Sequence, residues 1–186
     1  MKYILIGTVG FFFILLFDVY TLKNDGLKRK TLGLTGVVLI VYSAIMAAVA
    51  SEKIAIPAGL RITAGILWAA AVFLLVYSLF LELPFSKTYG GSKHSSELVD
   101  TGTYALCRHP GVLWFGLTFF FFFFATGAVL LIPAGIIWTA VDIIHVYFED
   151  KFFFPKMFPS YKNYSKSTPM LIPNKRSIRR CISTLF

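Results

Sequence analysis

VLWFGLTFFFFFFATGAVLLIPAGIIWTAVDIIHVYF, residues 112–148, is a run of 37 residues of almost unbroken hydrocarbon. As one α-helix it would be about 55 Å long, nearly twice the ~30 Å of a bilayer core. The segment must therefore double back. Its breakers are Gly127, in Ala125-Thr126-Gly127, and Pro133 with Gly135 shortly after. A turn between Gly127 and Pro133 leaves two short arms of similar length. Such a hairpin brings both its open ends to one side of the membrane.

The rest of the chain agrees with that reading. Its 186 residues are 57% hydrophobic, with a mean hydropathy of +0.74, and the apolar residues lie in blocks rather than in the broken pattern of an aqueous domain. Further blocks long enough to span occur at Tyr3–Tyr20, Leu32–Ala50 and Ile62–Leu83. The first could be read as a signal peptide, but its only basic flank is Lys2 and Thr21-Leu22-Lys23-Asn24 offers no small-residue cleavage site. It is read as a retained helix. The expected fold is all-α: an integral membrane bundle of about five transmembrane helices, the last two a hairpin, with a partly helical tail. Residues 1–186 form a single transmembrane domain.

The basic residues orient it. With five spans, Lys23, Lys28, Arg29, Lys30, Lys87, Lys93, Arg108 and eight residues from Lys151 to Arg180 share one side, leaving Lys2, Lys53 and Arg61 on the other. This bias of 15 to 3 predicts a cytoplasmic C-terminus and an outside N-terminus. The net charge of +9 is thereby explained by loops that meet anionic headgroups, without nucleic acid. Cys107 and Cys181 make no disulfide framework and no metal-ligand set, and Cys181 stands too far from the end for a prenylation signal. The run Phe119–Phe124 reads as lipid-facing filler, or alternatively as the wall of a lipid-tail tunnel.

Ionisable groups in or beside the membrane are costly, and the last helix carries three: Asp142, His145 and Glu149. Their spacing puts them on one face, with Asp150 roughly 80° away. A polar cavity and an interhelical hydrogen-bond network explain that stripe equally well. A second cluster precedes the hairpin, in Leu98-Val99-Asp100-Thr101-Gly102-Thr103-Tyr104 and Arg108-His109-Pro110. Pro110 suits the first position of a helix, whose free N–H groups with Arg108 beside them would hold a carboxylate or phosphate. The hairpin would bring Arg108 and His109 to Glu149. A cation facing a carboxylate suits the zwitterion of an amino-acid moiety, with Tyr104 adding an aromatic face; the alternative is a structural Arg108–Glu149 salt bridge.

Gly102-Thr103-Tyr104, Arg108-His109-Pro110, a hydrophobic hairpin, Glu149-Asp150, Tyr161, Tyr164 and Pro169 together resemble the isoprenylcysteine carboxyl methyltransferases and their phospholipid N-methyltransferase relatives. The likeness covers roughly Ser96 to Pro173, so that residues 96–173 would form the cofactor-binding part. It implies S-adenosylmethionine as cofactor, lined by Leu98, Val99, Gly102, Tyr104, Arg108, His109 and Pro110, with Glu149 taking its ammonium group. Arg108 and Glu149 would be the catalytic pair. The family's arginine for the substrate carboxylate falls on His145, so His145 and Asp142 are the candidate substrate residues. An imidazole is ordinarily charged only below about pH 6.5. Further departures are Val112 and Trp114 where the family often has tyrosine and glycine, Asp150 for a second glutamate, and Phe158-Pro159 for Phe-Gly.

The implied reaction is methyl transfer to a lipophilic acceptor, a lipid-like carboxylate or an amine, entering from the bilayer. A sulfonium already activates the methyl group, so alignment and water exclusion matter more than acid–base help. An amine acceptor must first lose a proton, to His145 or Asp142. No metal is required. Rival readings are a sterol-type reductase, which shares an Arg-His-containing hairpin, and a non-catalytic membrane subunit of the same fold.

Overall fold

The computed structural model describes residues 1–23, 25–83 and 98–185. Lys87 and Lys93, counted above for orientation, and Ser96, the start of the family likeness, lie outside them. The described chain is all-α, with one isolated bridge between Lys53 and Ala128. Helices α1 (Lys2–Leu22), α2 (Gly26–Val49) and α3 (Ala58–Val76, prolonged by a π turn at Tyr77–Leu81) match the first three blocks. Then follow α4 (Thr103–Leu106), α5 (Pro110–Thr126), α6 (Leu131–Phe148, with a π turn at Glu149–Phe153), α7 (Phe154–Met157), α8 (Tyr161–Ser167) and α9 (Lys175–Leu185).

Among the described residues four helices are long and apolar enough to cross a membrane: Lys2–Leu22, Gly26–Val49, Ala58–Leu81 and Leu131–Met157. The fifth expected span, α5, has 17 residues and about 25 Å of length, the lower limit for crossing. The hairpin arms differ more than expected, because helical structure runs on from α6 to Met157. Large apolar side chains such as Leu5, Val38, Ile66, Phe73, Ile136 and Ile144 face outwards, as a lipid-solvated surface requires. α2 begins well before its apolar block because Asp25 caps it, accepting from the Lys28 N–H at 3.2 Å.

The chain packs as two compact units. The first comprises residues 1–71 and 115–147, the second 72–114 and 148–186. In the first unit Ile4, Phe11, Ala47, Phe119, Leu131 and Trp138 form the core. Trp138 is fully buried and donates its indole N–H to the Ile4 carbonyl at 3.0 Å. α1 and α2 touch backbone to backbone at Gly10 and Gly36, where any Cβ would press on the other helix's carbonyl oxygen. Without a hydrophobic force between helices in lipid, such close approach by small residues supplies the contact energy.

The phenylalanine run is not uniform filler. Phe119 is buried against Gly135 and Trp138, Phe122 stacks on Trp68, and Phe120 is exposed. The hairpin turn spans 127–130, and Pro133 lies in the first turn of α6, where its missing N–H costs nothing. Gly127 adopts φ 73° and donates to the Phe123 carbonyl at 2.7 Å. The connection between α2 and α3 pins this turn, through Ile54 N–H to Gly127 O at 2.9 Å and Val129 N–H to Glu52 O at 3.0 Å. A side chain at Gly127 would strike the Ile54 carbonyl. Gly127→Ala is therefore expected to cost more than the ~1–2 kcal/mol of a left-handed residue alone, read as a lower unfolding midpoint in detergent. An unchanged midpoint would mean that the turn relaxes freely.

Candidate functional site

The second unit gathers the sequence elements that preceded and followed the hairpin. Its centre is Asp150. The Arg108 guanidinium grips this carboxylate with two prongs, Nε and Nη2 each at 2.8 Å. His109 Nε2 lies 3.2 Å from the same group, and the Tyr161 hydroxyl donates to it as well. Three of these groups meet at Oδ1 and one, Arg108 Nη2, at Oδ2. Side-chain exposures of 11% for Arg108 and 16% for Asp150 make this a largely buried pair.

Arg108 is equally committed on its other side. Its Nη1 donates to the carbonyls of Ser165 and Thr168, at 2.8 and 2.9 Å, closing the end of α8. The expected meeting of Arg108 with Glu149 is thus corrected: Arg108 pairs with Asp150, while Glu149 lies 3.8 Å from Nδ1 of His109. Asp150 stands one residue, about 100°, further round the helix than Glu149, and it is this side that faces Arg108, where the π turn Glu149–Phe153 begins. With four N–H contacts made, Arg108 is a clamp that ties Asp150 to the end of α8.

The start of α5 is also less open than its sequence implied. Arg108 N–H donates to Pro169 O at 2.9 Å and His109 N–H to Met170 O at 3.2 Å. Pro110, fully buried, begins the helix as expected. His109 is buried, its ring stacked on Phe154 with centroids 5.7 Å apart. Tyr104 is buried too, its hydroxyl donating to the Ser78 carbonyl at 3.1 Å, while its own carbonyl accepts from Tyr164 at 2.7 Å. Burial raises the phenols of Tyr161, which Asp150 also faces, and Tyr164 well above their ordinary range, so both remain donors. Burial likewise pushes the Cys107 thiol up to about 12, which rules it out as a nucleophile near neutrality.

Ser78 is a second centre, which sequence reading missed. It sits in the π turn after α3, bonded through Oγ to Thr103 Oγ1 at 3.0 Å and to the Trp114 indole at 3.0 Å. Glu82 follows, accepting from the Thr103 N–H at 2.7 Å and from the Thr103 hydroxyl. Gly102, at φ 54°, donates its N–H to Thr184 at 2.8 Å. Leu98 packs against the buried cluster of Phe158, Tyr161 and Tyr164, and Val99 is half-buried. Beside them lies a cleft of about 310 Å³ lined by Leu98, Asp100, Ser160, Asn163, Tyr164 and Ser167.

The remaining candidates belong to the first unit. His145 Nε2 lies 2.6 Å from Asp18 Oδ2 on α1, and both residues are buried. Asp142 is half-buried on α6. Asp18 was overlooked although an acid inside the first apolar block is itself a signal, because the membrane tolerates it only with a partner. Compared with protein-family models, curated proteins and solved structures, the chain matches none of them.

Proposed function

We propose that the chain transfers the methyl group of S-adenosylmethionine to a lipophilic acceptor at the cytoplasmic face of a membrane. One observation carries this reading. The residues on which the family resemblance rests, scattered from Gly102 to Pro169, converge into one hydrogen-bonded unit: Arg108 and Tyr161 on Asp150, His109 beside Glu149, Tyr164 on Tyr104, and Arg108 N–H on Pro169. The unequal distribution of Lys and Arg supports the cytoplasmic assignment and an outside N-terminus.

The residues of this unit suit the cofactor's chemistry. Glu149 and Asp100 are carboxylates for an ammonium group, Ser160, Asn163 and Ser167 offer hydroxyl and amide groups, and Tyr164 and Leu98 offer aromatic and apolar surface. The cleft lined by Leu98, Asp100, Ser160, Asn163, Tyr164 and Ser167 lies at the small end of the usual range for ligand sites. When bound, the sulfonium supplies an activated methyl group. The chain's own part is to orient and to exclude water: Arg108 fixes Asp150, and Asp150 in turn fixes His109 and Tyr161. Glu149 is the ligand residue of the pair and Arg108 a positioning residue.

A specific observation also favours an amine acceptor of the phospholipid type over a lipid carboxylate. His145, which stands where the family has its carboxylate-binding arginine, is held by the Asp18 carboxyl at 2.6 Å. An imidazole engaged in this way is a poor anchor for a second carboxylate.

Glu149→Gln tests the reading. Removing one charged hydrogen bond is worth about 1.5–3 kcal/mol, so S-adenosylmethionine should bind the purified variant roughly 10- to 150-fold more weakly by calorimetry. Equal binding, or none by the parent chain, would count decisively against methyl transfer. Membranes incubated with methyl-labelled S-adenosylmethionine then identify the acceptor by the lipid fraction that becomes labelled.

A further inference from the structure

Helix α9 has two faces of different chemistry. Ser177 and Cys181 are buried, and Asn174 caps the helix reciprocally with Ser177, through Asn174 Oδ1 to Ser177 N–H and Asn174 N–H to Ser177 Oγ, both 2.9 Å. Arg180 holds Asp100 at 2.6 Å, and Thr184 accepts from Gly102 N–H. These four residues occupy about a third of the helix circumference and fix its orientation on the segment around α4.

The opposite arc is exposed. At about 100° per residue, it runs in the order Ile178, Ile182, Lys175, Arg179, Arg176, so isoleucines fill one edge and cations the other. Ile178 is 44% exposed, Ile182 60%, and Ile172 just before the helix 82%. Among the described residues Lys175, Arg176 and Arg179 form no ion pair. Two isoleucines flanked by three cations is an arrangement that water alone does not stabilise. It matches a layer that is apolar below and anionic above.

We propose that α9 is an interfacial anchor whose ligand is the anionic lipid surface of the chain's own membrane. Ile178 and Ile182 dip into the boundary of the acyl region, and Lys175, Arg176 and Arg179 meet negatively charged headgroups. Charge complementarity selects this occupant over a second protein, and the spanning helices of the same chain keep a bilayer always within reach. Through Arg180 and Thr184 the anchored helix also steadies Asp100 and Gly102. The inference does not depend on methyl transfer.

The test uses the full chain in lipid nanodiscs, with a nitroxide attached at Ile182→Cys or, on the cationic edge, at Ser183→Cys. The parent chain, whose two cysteines are buried, serves as the labelling control. In discs containing phosphatidylglycerol, the Ile182→Cys label should relax several-fold faster with oxygen than with a water-soluble nickel reagent, and the Ser183→Cys label should show the reverse. Combining Lys175→Glu, Arg176→Glu and Arg179→Glu should return the Ile182→Cys label to water. Three results would overturn the proposal: a label at Ile182→Cys that stays water-accessible, a label shielded from both reagents as by a protein partner, or identical burial in purely neutral phosphatidylcholine discs.

Discussion

Arg108→Ala is expected to destabilise the protein by about 3–5 kcal/mol, the range for removing one partner of a buried ion pair. Asp150 would keep its charge with only His109 and Tyr161 as donors, and the Ser165 and Thr168 carbonyls would each lose a bond. Because both side chains are well shielded, solvent screening discounts this figure little. Arg108→Lys should recover only part of the loss. An ammonium cannot make the two-pronged grip on Asp150 and reach two carbonyls as well. The adjacent Cys107 provides the readout: fully buried, with its thiol pushed up to about 12, it should react with maleimide at neutral pH only after the clamp opens. A lower unfolding midpoint together with fast Cys107 labelling would bear out the clamp. If Arg108→Ala unfolds like the parent and leaves Cys107 unreactive, Arg108 does not hold this unit together.

The second large effect concerns Asp18 and His145. Each buried polar side chain is tolerated in its helix because the other lies 2.6 Å away. Asp18→Leu or His145→Leu alone should cost about 3–5 kcal/mol, since each leaves its partner isolated in a medium of low dielectric. The double variant should be within about 1 kcal/mol of the parent, because apolar side chains of similar volume replace both polar groups. Unfolding midpoints of the four proteins in mixed micelles measure this coupling directly. Single effects that simply add would refute a direct pair.

Reading the sequence succeeded where a single physical quantity decides. A largely apolar run of 37 residues exceeds the thickness of a bilayer, so the reversal near Gly127 follows from length alone. Reading failed where two helices must be compared. Asp18 and His145 are 127 positions apart, and nothing local says that one acid in α1 and one histidine in α6 share a depth and a face. The acidic pair shows the same limit on a smaller scale. Regular helical spacing puts Glu149 on the polar stripe, yet the carboxylate that Arg108 grips is the neighbouring Asp150.

The order of apolar blocks and the all-α membrane class were settled by composition and spacing, because the cost of exposing backbone in lipid leaves a chain so few options. Which carboxylate Arg108 grips, which acid neutralises His145, and that Ser78 ties α3 to Thr103 and Trp114 were decided only by the tertiary structure. Those choices depend on ångström-scale approach between segments distant in the chain. Pairing energies fall off within a few ångströms, far below the resolution of any pattern along the sequence.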